Sequence, residues 1–165
     1  MAAHKATVSI SASVLPDNIK VSVGGTTVYD LNDTGDNNKW IHWRGQTDGT
    51  TARDIVNTSG IQYLNQTVDY DDTPTVTVEA TDDVVFILIK NSGTTDGSTA
   101  STANLHVGLS GGDLAANSGT IVIEPNECWF ARLRGEALAD INATSSSGDL
   151  TYDVFAILDD GGTDA

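Results

Sequence analysis

Apolar and polar side chains alternate with a period of two along much of this chain. The clearest case is TVSISASV at 7–14, in which every second residue is apolar and the residues between are Thr or Ser. Because successive side chains of a β-strand point to opposite faces, this alternation predicts a strand with one face in water. VVFILIKN at 84–91 is instead apolar at consecutive positions, which predicts a central strand covered on both faces.

Segments rich in Gly, Ser, Thr and Asp separate these short apolar runs. Gly24-Gly25 lies between IKVSV and TTVYDL and predicts a hairpin turn, since glycine tolerates positive φ. TARDIV at 51–56 suggests one helical turn. NSGTTDGSTASTAN at 91–104 predicts a long exposed loop, because its low-complexity polar composition offers little to bury.

These patterns predict about ten short strands and no amphipathic helix of useful length. We therefore expect an all-β fold, an antiparallel β-sandwich or jelly roll. The 165 residues fit one domain covering 1–165. Residues 1–14 are expected to form an N-terminal arm or an edge strand, and 159–165 a flexible acidic tail. A separate arm or hairpin layer formed by residues 1–44 is the less favoured alternative.

The charge balance narrows the range of partners. The chain has 8 Lys and Arg against 23 Asp and Glu, a formal net charge of −15 and a pI near 4.1. Such a surface cannot neutralise phosphates, which argues against nucleic acid and against an anionic membrane as partner. It favours solubility by repulsion, and it suits a salty medium in which charges are screened.

The N-terminus and the cysteine content bear on the compartment. The first residues, MAAHKATVSISASV, lack the apolar stretch of a signal peptide, and the longest apolar run is too short to span a bilayer. Cys128 is the only cysteine, so the chain has no internal disulfide, and a small core residue is its expected role. The sequence therefore predicts a protein that is made, and is soluble, in a cytoplasm.

The segment DLNDTGDNN at 30–38 has the alternating oxygen donors of a calcium loop. An EF-hand is excluded because its twelfth position must hold a Glu and here holds Ile41, and because both flanks are predicted strands. A calcium site of another type remains a candidate, and a polar turn is the favoured alternative. Its ligands would be Asp30, Asn32, Asp36 and Asn38. No other cofactor is expected.

Motifs of catalysis are missing from the sequence. It contains no GxSxG, HExxH, P-loop or GxGxxG pattern. Glu124 and Glu127 flank a Pro-Asn pair, which favours an exposed turn over the carboxyl pair of a glycosidase. A nucleophilic pair of Cys128 with His42 or His106 is also disfavoured. We therefore expect a protein that is not an enzyme.

The segment KWIHWR at 39–44 suggests a contact surface. Its two Trp residues are three positions apart, so on a strand one faces the core and the other faces outward. Trp and Arg are enriched in protein interfaces, which makes Trp40, His42 and Arg44 a candidate interface. A carbohydrate-binding platform is the alternative.

A resemblance covers about residues 84–158. The order of VVFILIKNSG, LHVGLSGG, GTIVIEPNECWFARL and LADINATSSSGDLTYDVFAIL resembles small β-sandwich structural proteins of tailed viruses. These include head decoration or cement proteins and related neck and tail components. In such chains a turn similar to Pro125–Glu127 connects two strands, and a hairpin similar to INATSSSGDLTYDVFAI closes the sandwich.

The resemblance implies assembly and transfers no catalytic residues. It implies a virion protein, made in the host cytoplasm, that forms a homotrimer and binds the major capsid protein or other virion proteins. The expected function is capsid decoration on a tailed-virus head. A neck, collar or tail component and a carbohydrate- or surface-binding β-sandwich module are the alternatives. Residues 1–14 would then act as an arm that adds to a neighbour's sheet.

Overall fold

Antiparallel pairing of short strands organises the whole described chain. The computed structural model describes residues 5–14, 21–30, 39–55, 65–68, 81–109, 121–133 and 135–159. These residues contain eleven strands and one 3₁₀ turn, at Leu138–Asp140. The strands are β1 (Lys5–Val14), β2 (Val21–Asp30), β3 (Lys39–Thr47), β4 (Arg53–Asp54), β5 (Asn65–Val68), β6 (Asp83–Asn91), β7 (Leu105–Gly108), β8 (Ile121–Ile123), β9 (Cys128–Arg132), β10 (Asn142–Ser145) and β11 (Leu150–Asp159).

The strands form three sheets. One has four strands in the order β4-β10-β7-β8, one has five in the order β5-β3-β11-β6-β9, and β1 and β2 form a third. Every pairing between these strands is antiparallel. The predicted all-β antiparallel sandwich is therefore confirmed.

The main hydrophobic core combines residues of the four-stranded and five-stranded sheets. β11 supplies Tyr152, Val154, Ala156 and Leu158, all fully buried, and β7 supplies Leu105 and Val107. Burying a side chain of this size stabilises the fold by about 1.5–3 kcal/mol. The alternation of β11 therefore defines which face of the five-stranded sheet is the inner one.

The Gly24-Gly25 turn predicted from the sequence is wrong. Both glycines lie inside β2, which pairs with β1 over ten residues from Lys5–Asp30 to Val14–Val21. Short isolated hairpins are marginally stable, so one long ladder with β1 is favoured over a tight turn between two short strands. A Cβ at Gly24 would lie 3.1 Å from the Ile10 carbonyl oxygen, so glycine here permits close approach of the two backbones.

The N-terminal hairpin, formed by β1 and β2, is a two-stranded sheet separate from the two larger sheets. Residues 39–44 belong to β3 of the five-stranded sheet, so a separate layer formed by residues 1–44 also stays a prediction. Action as an arm toward a neighbour stays a prediction, as does the single domain. Of the expected acidic tail, Asp159 ends β11 and residues 160–165 lie outside the described residues.

Two further expectations are corrected. TARDIV contains β4 and not a helical turn, and the buried Ile55 donates its N–H to the Ile141 carbonyl at 2.7 Å. INATSSSGDLTYDVFAI is not a hairpin, since β10 pairs in the four-stranded sheet and β11 in the five-stranded sheet. Ala143 of β10 and alternate residues of β11 lie in the same core, so the SSSGD segment must cross between the two sheets.

The polar segment after β6 is exposed at its tip and at Thr102, while its base is buried. The fully buried Asn91 donates its Nδ2 hydrogens to the carbonyls of Ala103 and Ile123, both at 3.0 Å. Its Oδ1 accepts the Gly93 N–H at 2.9 Å. Residues 96–100 are exposed. The predicted exposed loop therefore has a base that is tied to β8 by hydrogen bonds.

Candidate functional site

The candidate site is the outer face of the five-stranded sheet, which points away from the main core. Strand pairing aligns its residues in three rows across β3, β11, β6 and β9. The first row is Arg44, Asp153, Lys90 and Cys128; the second is His42, Phe155, Leu88 and Phe130; the third is Trp40, Ile157, Phe86 and Arg132.

A second hydrophobic cluster occupies this outer face. Phe86 and Ile157 are buried, and Leu88, Phe155 and the neighbouring Val85 pack against them while partly exposed. The Phe86 and Phe155 rings lie 6.5 Å apart between centroids at 60°, within the range of favourable aromatic pairs. The next residue of the second row, Phe130, is 41% exposed. Along the second row, the exposure of the side chains therefore increases from Leu88 on β6 to Phe130 on β9.

The N-terminal hairpin covers one end of the cluster. Val8 of β1 is half-buried and packs against the Phe86–Ile157 pair. Ile10, two residues further along β1, is 41% exposed. Both the hairpin and the sheet thus present apolar side chains next to the place where they touch.

The first row contains a two-pronged ion pair. Arg44 donates from Nε to Oδ1 of Asp153 at 2.7 Å and from Nη2 to Oδ2 at 2.9 Å. These bonds raise the pKa of Arg44, and its guanidinium stays charged at every pH of interest. Asp153 also pairs in register with Lys90 on the other neighbouring strand. Asp153 therefore occupies a register position between two cationic residues, and its carboxylate is bound by Arg44.

The outer face is rich in cations compared with the chain as a whole. Its twelve aligned positions include Arg44, Lys90 and Arg132, three of the chain's 8 Lys and Arg residues. They include one acid, Asp153, although the chain has 23. Lys90 and Arg132 are exposed. Arg44 is already paired with Asp153, and the next aligned pair at the end of β6 and β11 is Asp83 with Asp159, so an apolar centre is bordered by charges of both signs.

The structure brings the predicted interface residues to this face. His42 is exposed, Arg44 is partly exposed, and Trp40 lies two residues before His42 on β3, its side chain outside the described part of the chain. That they contact a partner stays a prediction. The sequence reasoning missed Phe130, Lys90 and Phe155. The alternation of ECWFARL indicated a strand at β9, but no sequence signal showed that β9 would pair with β6.

The expectation of a buried cysteine is wrong. Cys128 is exposed, because it begins β9, an edge strand of the five-stranded sheet, and pairs with Lys90 on the outer face. The nucleophile hypothesis gains no support from this position.

The calcium hypothesis remains untested by the structure. Asp30 ends β2 and its side chain is not described, while Asn32, Asp36 and Asn38 lie outside the described residues. Elsewhere, in the part of the chain that the structure describes, no group of three or more His, Cys, Asp or Glu side chains is placed to hold a metal ion.

The carboxylates of the IEPNE segment lie at an exposed turn. Glu124 and Glu127 are both exposed, and the Glu127 N–H donates to the Glu124 carbonyl at 3.0 Å. Asn126 has a positive φ of 69°, which fits the preference of Asn for left-handed turn positions. The turn interpretation therefore accounts for both residues.

No helix of the described ranges is long and apolar enough to cross a membrane. A scan against protein-family models found no match, and searches of the curated proteins and of the solved structures found none either. The outer face and the N-terminal hairpin are therefore the features from which a function is inferred.

Proposed function

We propose that the protein is a non-enzymatic virion structural protein that decorates the head of a tailed virus as a homotrimer. The observation that carries the proposal is that the outer face and the N-terminal hairpin both leave apolar side chains exposed to solvent. Exposed apolar patches of this kind, bordered by charge, mark protein interaction sites. A two-stranded hairpin is also marginally stable in water unless something packs against it.

The chemistry of the outer face supports a binding role. Its apolar cluster consists of Phe, Leu, Ile and Val side chains, and its described polar residues are engaged in the Arg44–Asp153 pair or exposed to water. The strong net negative charge of −15 would keep the chain soluble on a capsid exterior and repel it from packaged DNA. The partners would be copies of the chain and the major capsid protein or another virion protein.

The test is co-sedimentation of the purified protein with purified heads and tails of the virus that carries its gene. We expect saturable binding to heads at a fixed ratio to the major capsid protein. Saturable binding to tails alone would instead support a neck, collar or tail component. Failure to bind either, with the protein missing from purified virions by mass spectrometry, would contradict the proposal.

A carbohydrate- or surface-binding module is the second candidate. It is favoured by the row of His42, Phe155 and Phe130 beside the Arg44–Asp153 pair, because sugar sites combine aromatic surfaces with charged hydrogen-bonding groups. Glycan-array binding that is lost in Phe130→Ala would support this candidate. No bound glycan at millimolar ligand would exclude it.

A further inference from the structure

We propose that the Asp48-Gly49 and Asp96-Gly97 turns suppress a spontaneous modification of the backbone, the isomerisation of aspartate, by holding the groups that would react. This property belongs to one copy of the chain and needs no partner. It therefore stands or falls separately from the proposed function.

The two turns repeat one sequence pattern. Residues 47–51 read TDGTT and residues 95–99 read TDGST, the first at the end of β3 and the second in the segment after β6. The chain has one more Asp-Gly pair, Asp160-Gly161, which lies outside the described residues. An aspartate followed by glycine is prone to isomerise, because glycine has no side chain to hinder its own nitrogen and its backbone turns freely.

Isomerisation requires the glycine nitrogen to reach the aspartate side chain. The nitrogen gives up its proton and bonds to Cγ of a protonated carboxyl group, whose hydroxyl oxygen leaves as water, and a cyclic imide remains. Water then opens the imide at either carbonyl. Opening at Cγ restores aspartate, whereas opening at the main-chain carbonyl leaves the chain running through Cγ as isoaspartate. The reaction therefore needs a protonated carboxyl group and a peptide that is free to rotate.

The Asp96 turn holds both reacting groups. Oδ1 of Asp96 accepts the N–H groups of Ser98 and Thr99 at 2.8 and 2.7 Å and the Ser98 hydroxyl at 2.9 Å. Oδ2 accepts the Thr99 hydroxyl at 2.9 Å. The attacking group, the Gly97 N–H, donates to Oγ1 of Thr94 at 3.1 Å. The carboxylate and the nitrogen are thus each bound to other partners.

The Asp48 turn is built in the same way. Oδ1 of Asp48 accepts the N–H groups of Thr50 and Thr51 at 2.8 and 2.9 Å and the Thr50 hydroxyl at 2.7 Å. The main-chain carbonyl of Asp48, which belongs to the peptide bond with Gly49, accepts the Ser145 N–H at 3.2 Å. That bond to β10 opposes the rotation of the peptide that imide formation requires.

These bonds act on both requirements of the reaction. Hydrogen bonds to a carboxylate favour its charged form, and they hold the pKa of Asp96 below its ordinary value. A charged carboxylate cannot release its oxygen as water. Isoaspartate would also add one atom to the backbone of a turn that the Thr95 N–H closes on the Thr99 carbonyl at 2.9 Å. Each turn must therefore open before its Asp-Gly pair can react.

The test compares ageing of the folded and the unfolded chain over several weeks at neutral pH. Trypsin cleaves after Lys and Arg and so releases the two pairs in separate peptides, residues 45–53 and 91–132. Isoaspartate is recognised by a shifted elution at unchanged mass and by resistance to Asp-N protease. We expect isomerisation at both pairs to be slower by about tenfold or more in the native protein than in guanidinium chloride, because it waits for local opening.

Two variants serve as each other's control. Ser98→Ala combined with Thr99→Val removes both hydroxyl donors of the Asp96 turn, and Thr50→Val removes the hydroxyl donor of the Asp48 turn. These three side chains are exposed, so the fold should be retained. We expect faster isomerisation at Asp96 alone in the first variant and at Asp48 alone in the second.

Thr102→Ala is the neutral control, because Thr102 is exposed in the same segment as Asp96 and is not among the donors to its carboxylate. It should change neither rate. Equal rates in the folded and the unfolded chain would overturn the proposal, as would donor variants that leave their own pair unchanged. Faster isomerisation at both pairs in a single variant would assign the protection to global stability and would overturn the local role of the turns.

Discussion

The two faces of the five-stranded sheet differ although the same strands build them. β11 points Tyr152 and Val154 into the main core, where both are fully buried, and carries Asp153 and Phe155 on the outer face, where both are partly exposed. The inner face is matched by the opposing four-stranded sheet, whereas the described part of the outer face is covered at one end by Val8. The inner face therefore stabilises the fold, whereas the outer face keeps partly exposed apolar side chains, and a partner for them is what we propose.

The largest expected effect comes from the inner face. Tyr152→Ala removes a fully buried ring and leaves a cavity, so the free energy of unfolding should fall by about 4 kcal/mol. Tyr152→Phe keeps the ring and removes only the hydrogen bond from its hydroxyl to the Ile55 carbonyl at 3.1 Å, a loss of about 1–2 kcal/mol. Urea unfolding measures both. A loss below about 1 kcal/mol for Tyr152→Ala would mean that the inner face is not packed as described.

Overpacking the inner face should be the next largest effect. A Cβ at Gly45 would lie 2.6 Å from Cζ and from the hydroxyl oxygen of Tyr152, so Gly45→Ala should destabilise the fold by about 2–3 kcal/mol. Gly25→Ala is the matched control, because a Cβ there meets nothing within 4 Å. Thermal unfolding should show a clear fall in Tm for the first variant and little change for the second. Equal Tm values would contradict the close packing of β3 on β11.

The ion pair of the outer face should contribute little to the stability of one copy. Arg44 and Asp153 side chains are 39% and 19% exposed, and pairs with this solvent access are worth about 0.2–1 kcal/mol. A double-mutant cycle with Arg44→Gln and Asp153→Asn should give a coupling of this size that shrinks as salt is added. A coupling of several kcal/mol would show that the outer face is far less hydrated than its exposure indicates.

The smallest effect is local and depends on pH. Asp96 accepts hydrogen bonds from the N–H groups of Ser98 and Thr99 at 2.8 and 2.7 Å and from both hydroxyls at 2.9 Å. These bonds, led by the Thr99 N–H, hold the pKa of Asp96 well below its usual value. Because the folded pKa is lowered, the stabilisation of this turn is complete above the ordinary value of about 3.9 and declines as pH falls toward the lowered one.

Amide exchange at Ser98 and Thr99 measures this effect. After correction for intrinsic rates, protection should be constant between pH 7 and 5 and should fall in strong acid. Asp96→Asn should remove that pH dependence and leave the unfolding of the sandwich unchanged, since residues 96–100 are exposed. Protection that stays constant down to pH 1 would contradict the role of the carboxylate.

Local patterns predicted the strands better than their partners. The alternation of residues 7–14 identified β1 because period two is a property of one strand alone. Gly24-Gly25 misled because a local turn preference competes with a ten-residue ladder that only the folded chain offers. Cys128 was expected in the core and Phe130 was overlooked, because the exposure of β9 depends on its position at a sheet edge. That position, like the ladder of β1 with β2, is set by the folded chain and not by local sequence. His42 and Arg44 were predictable as outward residues because the alternation of β3 is local.

The most direct test of the outer face as an assembly surface is the mass of the wild-type protein in solution, measured by light scattering after size exclusion at low and at high salt. We expect a species three times the 17.3 kDa chain mass, converted to monomer by Phe130→Asp and not by Val122→Asp. A wild-type protein of 17.3 kDa under both salt conditions would contradict it.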